Sequence, residues 1–288
     1  MPDVSISTRV RMTRGATLSG WFWRFTWPDG RAAIVLCGVC PGWALTGYAT
    51  QPGDWHPAIL DDPVEDSGGV RIGTAFAGDA RHVRAAGVDA RLHDVVAWPR
   101  PWHGTGPGGW LPFLRQYWRP LVLRARAEGT IGGWDLEGAT AYVERNWGNG
   151  FPPIWWWGEA HDFGGDPVTV AFAGGPAIGR LRATAVVVHL PSRLIRLGEP
   201  VVAGVRADVG PGRWVLRGRS LRHRVEIEAS GDPAAAHILD VPVPAERRVV
   251  PWSHQHLAGQ LRVRVERRGG LVYEGESDLA GLELGRAP

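Results

Sequence analysis

The stretch Tyr142–Phe163 reads YVERNWGNGFPPIWWWGEAHDF and contains two strand-like segments joined by a corner. In its first half Tyr142, Glu144 and Asn146 recur at a spacing of two, so an extended chain places all three side chains on one face. Glycine, asparagine and proline residues between 148 and 153 then interrupt any regular element. The pattern therefore predicts two β-strands with a turn between them.

The second half of this stretch is rich in aromatic residues and alternates again. Its two sets of alternating residues are Trp155, Trp157, Glu159, His161 and Phe163 on one side and Trp156, Gly158, Ala160 and Asp162 on the other. A carboxylate that shares a face with indole rings is a candidate acid, because burial among aromatic groups raises a carboxyl pKa and keeps the group protonated. Ring faces also stabilise a neighbouring cation. The density of tryptophans and polar groups predicts a binding site.

The composition favours an all-β protein. The 288-residue chain contains 40 glycines and 23 prolines with short apolar runs between them, and this punctuation favours strands and turns over long helices. Strand-length segments continue after residue 163 at intervals of roughly 8 to 12 residues, which is typical of a sandwich or barrel. A shift in composition across residues 98–120 predicts two domains, an N-terminal one at 1–115 and a C-terminal one at 116–288 that carries YVERNWG.

Charge and hydropathy argue against several classes of protein. All 32 basic residues are arginines; they are balanced by 29 acidic residues, for a net charge of +3, and are scattered along the chain. Nucleic-acid binding is therefore not expected. No apolar run is long enough to predict a membrane-spanning helix, and the N-terminal segment lacks the apolar region of a secretory signal. We expect a cytoplasmic protein.

Residues 19–40 predict a β-hairpin with one strongly aromatic face. Aromatic rings recur at every second position from Trp21 to Trp27, and a Pro-Asp-Gly turn separates this strand from the apolar run that follows. We interpret Trp21 and Trp23 as facing either the core or a ligand cavity, since core packing explains a single ring as well as ligand binding does.

Two short motifs invite a metal or redox interpretation. Cys37 and Cys40 form a Cys-x-x-Cys pair, but a second ligand pair for zinc is missing, as is the helix that follows a thioredoxin-like motif. His254 and His256 have no identifiable third ligand, and we interpret residues 254–256 as a surface loop. The sequence predicts no metal site.

Tyr142–Phe163 resembles the signature segment of the tocopherol cyclase-like family, whose pattern is Tyr-x-Glu-Lys/Arg-Asn-Trp-Gly, then Phe-Pro and an aromatic strand. Three further segments resemble the same family: GWFWRF at 20–25, RQYWRP at 115–120 and GQLRVRVERRGGLVYEGESDLAGLELG at 259–285. The resemblance covers nearly the whole chain. It implies two lipocalin-like (calycin) β-barrels or strongly bent antiparallel sheets packed together, akin to carotenoid 1,2-hydratases.

The resemblance also implies a reaction. In these proteins a prenyl alkene is protonated and the tertiary carbocation is trapped by a phenol oxygen or by water, and no metal or organic cofactor is implied. Carried onto this chain, the motif implies Glu144 as the general acid, Tyr142 as its hydrogen-bonding neighbour and Asn146 as the residue that orients it. Trp118 and Trp147 are implied to line the cavity and to stabilise positive charge.

The chain departs from the family pattern near these residues. It has Glu159, His161 and Asp162 where tocopherol cyclases carry Gln, Asn and Val, and Tyr117 where the family has His. Glu159 and His161 therefore form an alternative acid/base pair. The candidate substrate-binding residues are Trp21, Trp23, Tyr117, Trp118, Trp147, Trp155, Trp157, Glu159 and His161.

Three hypotheses remain open at this point. The first is an isoprenoid or meroterpenoid cyclase or hydratase, an acid-catalysed enzyme of the intramolecular lyase or isomerase type. The second is a non-catalytic lipocalin-like carrier of a hydrophobic ligand, in which Glu144 and Asn146 only satisfy buried polar groups. The third treats the Asn-Trp-Gly corner as purely structural. The expected partner is a prenylated quinol or an isoprenoid, and peripheral contact with a membrane is kept open.

Overall fold

Almost all regular structure in this protein is β-strand. The computed structural model describes residues 16–66, 68–99, 114–176, 182–198 and 203–287. The strands form two antiparallel sheets, which confirms the predicted all-β class. Within these ranges, short 3-10 helices lie at Pro233–Ala235 and Pro244–Glu246. No helix in the described ranges is long and apolar enough to cross a membrane.

The first sheet has twelve strands among the residues that the structure describes. They are, in chain order, β1 (Leu18–Thr26), β2 (Ala32–Cys40), β3 (Trp43–Gln51), β4 (Trp55–Asp61), β5 (Val64–Glu65), β6 (Val70–Ile72), β7 (Phe76–Gly78), β8 (His82–Ala85), β9 (Val88–Ala97), β10 (Gln116–Ile131), β11 (Trp134–Asp135) and β12 (Thr140–Gly148). Their order across the sheet is β4-β3-β2-β1-β12-β10-β9-β8-β7-β6-β5, and β11 pairs with β10. The β1–β2 pair confirms the predicted hairpin.

In the described part of the chain, the second sheet has ten strands. They are β13 (Ile154–Ala160), β14 (Thr169–Pro176), β15 (Arg182–Leu190), β16 (Arg193–Leu197), β17 (Ala203–Gly210), β18 (Arg213–Ser220), β19 (His223–Ser230), β20 (His237–Val243), β21 (Arg248–Arg267) and β22 (Gly270–Arg286). Their order is β16-β15-β14-β13-β22-β21-β19-β18-β17, and β20 pairs with β21. The aromatic strand β13 thus lies beside the C-terminal strand β22.

The described residues divide into two compact units. The first contains the residues up to 99 together with 115–150 and 240–251, and the second contains 151–239 and 252–287. This division differs from the sequence-based boundary after residue 115, because β12 pairs on one side with β1 and on the other with β10. Composition alone does not reveal pairing between strands that are more than 100 residues apart along the chain.

In the first unit the hydrophobic core covers one face of the sheet. Trp21, Trp23 and Phe25 of β1 and Val143 of β12 belong to this core, and burying a large apolar side chain stabilises a fold by about 1.5–3 kcal/mol. Because successive side chains of a strand point to opposite faces, Glu144 lies on the face away from this core.

The second unit shows the same division of faces on β13. Trp156 packs in the core with Leu282 and Leu284 of β22, whereas Trp155 and Trp157 lie on the opposite face of the strand. The predicted alternation is therefore confirmed within β13. It is wrong for Phe163, which packs in the core with Trp156 because the strand ends at Ala160. In both units a row of polar and aromatic residues occupies the face away from the core.

Two short motifs of the sequence lie within strands. The loop predicted at residues 254–256 is wrong, because these residues belong to β21, where Gln255 and His256 are buried. Cys37 and Cys40 are free, buried thiols on β2. Burial raises the pKa of Cys40 to about 12 and that of Cys37 well above its ordinary value, so neither thiol has the reactive, low-pKa character of a redox cysteine.

Candidate functional site

Glu144 is a buried carboxyl at the centre of the first sheet. It lies on β12 between β1 and β10, directly opposite Phe22 and Pro120, and only 4% of the residue is exposed. Trp118 Nε1 and Tyr142 Oη both donate hydrogen bonds to Glu144 Oε2, the second at 2.7 Å. Two donors aimed at one carboxyl oxygen stabilise the negative charge that appears when the acid gives up its proton.

Asn146 lies on the same face of β12, two residues beyond Glu144. Gln116 Nε2 donates a hydrogen bond to Asn146 Oδ1 at 3.1 Å. Gly20 is directly opposite on β1, and a Cβ atom there would lie 2.4 Å from Asn146 Oδ1. The Asn146 amide can therefore pack against β1 only because residue 20 has no side chain.

Tyr117 and Trp147 lie together on the opposite face of this sheet. They are directly paired across β10 and β12, and their rings stack with centroids 5.8 Å apart at 14°. Within the described residues the buried Trp147 Nε1 has no hydrogen-bond partner. The sheet separates these two rings from Glu144, so of the aromatic pair Trp118 and Trp147 only Trp118 contacts the carboxyl.

Trp21 and Trp23 also lie away from Glu144, on the core face. The two rings stack with centroids 5.7 Å apart. Trp21 Nε1 donates to Glu65 Oε1 at 2.7 Å, and Trp23 Nε1 donates to the backbone oxygen of Asp79 at 2.8 Å. Packing and satisfied indole groups account for both residues.

Glu65 is also the partner of a buried arginine. Arg145 forms an ion pair with Glu65, and Ser19 Oγ donates to the same carboxylate oxygen at 2.9 Å. Burial lowers the pKa of Arg145, and the adjacent Glu65 opposes that effect. Sequence reasoning missed Glu65 because it stands in a polar stretch and belongs to a strand of only two residues.

The remaining predicted residues lie in the second unit. Trp155, Trp157 and Glu159 share one face of β13, and His161 follows the strand. Glu159 Oε1 and His161 Nδ1 are 2.8 Å apart, and both side chains are completely buried. Glu159 and His161 therefore contact each other, in a different unit from Glu144, and their acid/base role stays a prediction.

A second acid cluster in this unit is centred on Glu283 of β22, a partly buried residue. Trp155 Nε1 and Ser253 Oγ donate hydrogen bonds to Glu283 Oε1 at 2.7 and 2.8 Å. Burial raises the pKa of Glu283, and these two hydrogen bonds oppose the shift. Sequence reasoning missed this residue because a carboxylate between Leu282 and Leu284 equally fits a strand with one exposed face.

The described residues offer carboxyl, imidazole, indole and hydroxyl groups for proton transfer and for binding. Among them no group of three or more His, Cys, Asp or Glu residues is arranged to hold a metal ion. The clusters around Glu144 and Glu283 are alike in composition. In each, one carboxyl oxygen accepts hydrogen bonds from one indole N–H and one hydroxyl. Such a carboxyl can act as an acid or as a hydrogen-bonding anchor for a ligand.

Comparison with known proteins supplies the family. The sequence is 30% identical over 223 residues to the protein named "Probable tocopherol cyclase, chloroplastic" from Oryza sativa subsp. japonica. It is 28% identical over 219 residues to "Tocopherol cyclase, chloroplastic" from Zea mays. These alignments cover 66% of this chain and 46% and 45% of the relatives, so the chain spans about half the length of the curated relatives it matches.

A solved structure and a family sequence profile are also similar to this chain. Kievitone hydratase from Nectria haematococca is similar with a TM-score of 0.57 at 14% sequence identity, over 99% of this chain and 94% of that one. Identity this low shows the fold alone. The sequence profile of the tocopherol cyclase-like family matches residues 63–286 of this chain. This range includes both Glu144 and Glu283. The chain therefore belongs to the tocopherol cyclase-like family.

Proposed function

We propose that this chain is an acid-catalysed enzyme that cyclises a prenylated phenol or quinol. Glu144 protonates a trisubstituted alkene of the prenyl tail, and the phenol oxygen of the same molecule traps the tertiary carbocation. The observation that carries the proposal is the buried Glu144 carboxyl with Trp118 and Tyr142 donating to one of its oxygens. Family membership and the names of the curated relatives support the same kind of reaction.

The proposed reaction is an isomerisation in which atoms and charge balance. The proton of neutral Glu144 adds to the less substituted alkene carbon, and the π electrons form the new C–H bond. The other alkene carbon becomes the tertiary cation, to which the phenol oxygen then donates a lone pair. The phenolic proton leaves that oxygen and is returned to the carboxylate, so the product has the mass of the substrate and the acid is regenerated.

The surroundings of Glu144 suit each of these steps. Exclusion of water prevents the carbocation from being quenched before the phenol oxygen reaches it. The Trp118 N–H and the Tyr142 O–H stabilise the carboxylate that remains after proton transfer. The electron-rich face of an indole also attracts a neighbouring cation.

The test is the substitution Glu144→Gln, which keeps the shape of the side chain and an oxygen that accepts from Trp118 and Tyr142. We expect turnover of a prenylated quinol to fall by about 10²–10⁴-fold, the usual contribution of general acid catalysis. Binding of the quinol and the unfolding midpoint should stay close to those of the unmodified protein. Mass analysis of the reaction mixture measures the product, and calorimetry measures binding.

The matched control is Glu276→Gln, since Glu276 has a largely exposed side chain, 72% accessible. This variant should retain full turnover. Full activity of Glu144→Gln would refute the assigned acid. A ligand that binds tightly to the unmodified protein and is recovered unaltered would refute catalysis and favour a carrier.

Hydration of the alkene is the second candidate, and the Glu159–His161 contact favours it. A neutral imidazole held by a carboxylate is a suitable base for a water molecule that attacks a cation. In that case the product gains the mass of one water, and Glu159→Gln lowers hydration. Products of unchanged mass, with Glu159→Gln fully active, would rule this candidate out.

A further inference from the structure

The cluster around Glu283 has the properties of a binding subsite that the family signature does not include. Glu283 lies on β22, directly opposite Trp157 of β13 on one side and Gln255 of β21 on the other. Its chain neighbours Leu282 and Leu284 belong to the core. Glu283 therefore projects from the face away from the core, together with Trp157 and Gln255.

The hydrogen bonds of Glu283 indicate which of its oxygens carries a proton. Trp155 and Ser253 both donate to Oε1, so the proton of the neutral acid belongs on Oε2. Burial raises the pKa of Glu283, which favours this neutral form. Glu283 is itself only partly buried, and a neutral carboxyl with some exposed surface is a hydrogen-bond donor for a ligand.

Gln255 supplies a second donor on the same face. Its residue is only 1% exposed, and its Nε2 atom has no hydrogen-bond partner among the described residues. Leaving a buried N–H group unsatisfied destabilises a protein, so such groups are normally paired. An oxygen atom of a ligand that reaches Gln255 would pair this N–H group.

Glycine residues leave room for flat rings beside these donors. Gly281 and Gly285 flank Glu283 on its own face of β22. A Cβ atom at Gly285 would lie 1.8 Å from Cε2 of Trp155, so the absence of a side chain is what lets this indole lie against the strand. Trp155 and Trp157 are each 5% exposed. The donors thus lie beside indole rings, the surroundings that favour a planar aromatic ligand.

We propose that Glu283, Gln255 and Ser253 form an oxygen-binding subsite that takes a neutral hydroxyl or carbonyl oxygen on a planar aromatic head group. Oε2 of protonated Glu283 and Nε2 of Gln255 donate to that oxygen, and Ser253 and Trp155 hold the carboxyl in place. A ligand carboxylate or phosphate is disfavoured, because the nearby Glu159 is a further acid on the same face. The ligand class rests on the proposed function, but the subsite does not depend on which residue protonates the alkene.

The test compares two ligands with the same tail. A prenylated quinol and a linear isoprenoid hydrocarbon of equal length are titrated by calorimetry into the full chain that carries Glu144→Gln, which keeps the quinol intact. Adding Gln255→Leu should weaken quinol binding by about tenfold, the effect of one lost hydrogen bond of about 1.4 kcal/mol. Hydrocarbon binding should change less than about twofold, because the hydrocarbon has no oxygen to bind.

Two substitutions at Glu283 distinguish the loss of its hydrogen-bond donor from a loss of folding. Glu283→Gln retains a donor and an acceptor, and we expect it to keep the preference for the quinol. Glu283→Leu removes the donor and should lose this preference. Thermal unfolding of each variant shows whether it is folded, and Glu276→Gln is the control on the same strand. Equal weakening for both ligands, or an unchanged preference in Gln255→Leu, would overturn the proposal.

The outcomes also separate this inference from the proposed function. Selective quinol binding through Gln255, in a protein that fails to turn the quinol over with Glu144 intact, would refute the proposed catalysis and leave the subsite standing. Turnover with no contribution from Gln255 to quinol binding would refute the subsite alone.

Discussion

At the scale of single residues, a carboxyl is defined by the groups that surround it. Glu144 and Glu283 each accept hydrogen bonds from one indole and one hydroxyl on a single oxygen. Glu65 accepts from the guanidinium of Arg145 and is therefore an ion-pair partner. The environments therefore differ in one group, because the Glu65 oxygen that accepts from Trp21 and Ser19 also contacts a guanidinium.

The Arg145–Glu65 pair gives a prediction about stability. Glu65→Ala leaves Arg145 buried without this counter-charge, and removing one partner of a buried ion pair costs about 3–5 kcal/mol. Asp61→Ala removes the partner of Arg247 in a pair whose side chains are more than 60% exposed, and such pairs contribute about 0–1 kcal/mol. Urea unfolding of both variants measures the difference. Equal decreases in the free energy of unfolding would show that the buried Arg145–Glu65 pair stabilises the protein no more than the exposed pair.

At the scale of elements, one face of strand β12 packs in the core and the other carries the candidate site. Val143 packs in the core of its unit, while Tyr142 and Glu144 form a hydrogen-bonded cluster on the other face. The partner strands contribute to both faces, since Trp118 of β10 reaches the carboxyl and Tyr117 stacks on the opposite side. A central strand with neighbours on both sides is therefore what assembles the candidate site.

Gly20 on the neighbouring strand gives a prediction at this scale. In Gly20→Ala the new methyl group displaces the Asn146 amide, because its Cβ would lie 2.4 Å from Oδ1, and breaks the hydrogen bond from Gln116. Overpacking of this kind costs about 1–3 kcal/mol. Gly210→Ala is the control, since no heavy atom lies within 4 Å of its Cβ, and we expect its unfolding midpoint in urea to stay unchanged or rise. Equal midpoints for the two variants would contradict the crowding argument.

At the scale of the whole molecule, the two units carry parallel arrangements. Each unit has its own hydrophobic core on one face of a sheet. Each also has a carboxyl on the face away from that core, on a strand with neighbours on both sides. In the second unit, burial lowers the pKa values of three histidines, His189, His223 and His256.

These histidines predict a loss of stability at acid pH. Their pKa values in the folded protein lie below 6.5, mainly because burial disfavours the charged ring. As pH falls from about 6.5, the unfolded chain therefore binds protons that the folded chain does not, and the free energy of unfolding decreases. We expect His256→Asn to reduce this pH dependence. Urea unfolding of the unmodified protein and of this variant between pH 7.5 and 5 measures the slopes, and identical slopes would contradict the assignment to buried rings.

Much of the candidate site could be predicted from local sequence. The spacing of Tyr142, Glu144 and Asn146 predicts a shared face, and the resemblance implies that Tyr142 is the neighbour of Glu144. In the structure Tyr142 Oη donates a hydrogen bond to Glu144 Oε2 at 2.7 Å. The resemblance implies that Trp147 lines the same cavity as Glu144, but the alternation of side chains places it on the opposite face of β12, where it stacks on Tyr117. Glu283 could not be predicted because its partners come from other strands.

The sequence by itself determined the all-β class, the alternation of side chains along each strand and the family, because these depend on local residue order. The tertiary structure decided which strands pair, and so brought Trp118 to Glu144 across 26 positions and Trp155 to Glu283 across 128. It also decided which face of each strand packs in a core. The physical reason is that side-chain alternation is a local property of a pleated backbone, whereas strand order and burial minimise the free energy of the whole sheet through contacts between distant residues.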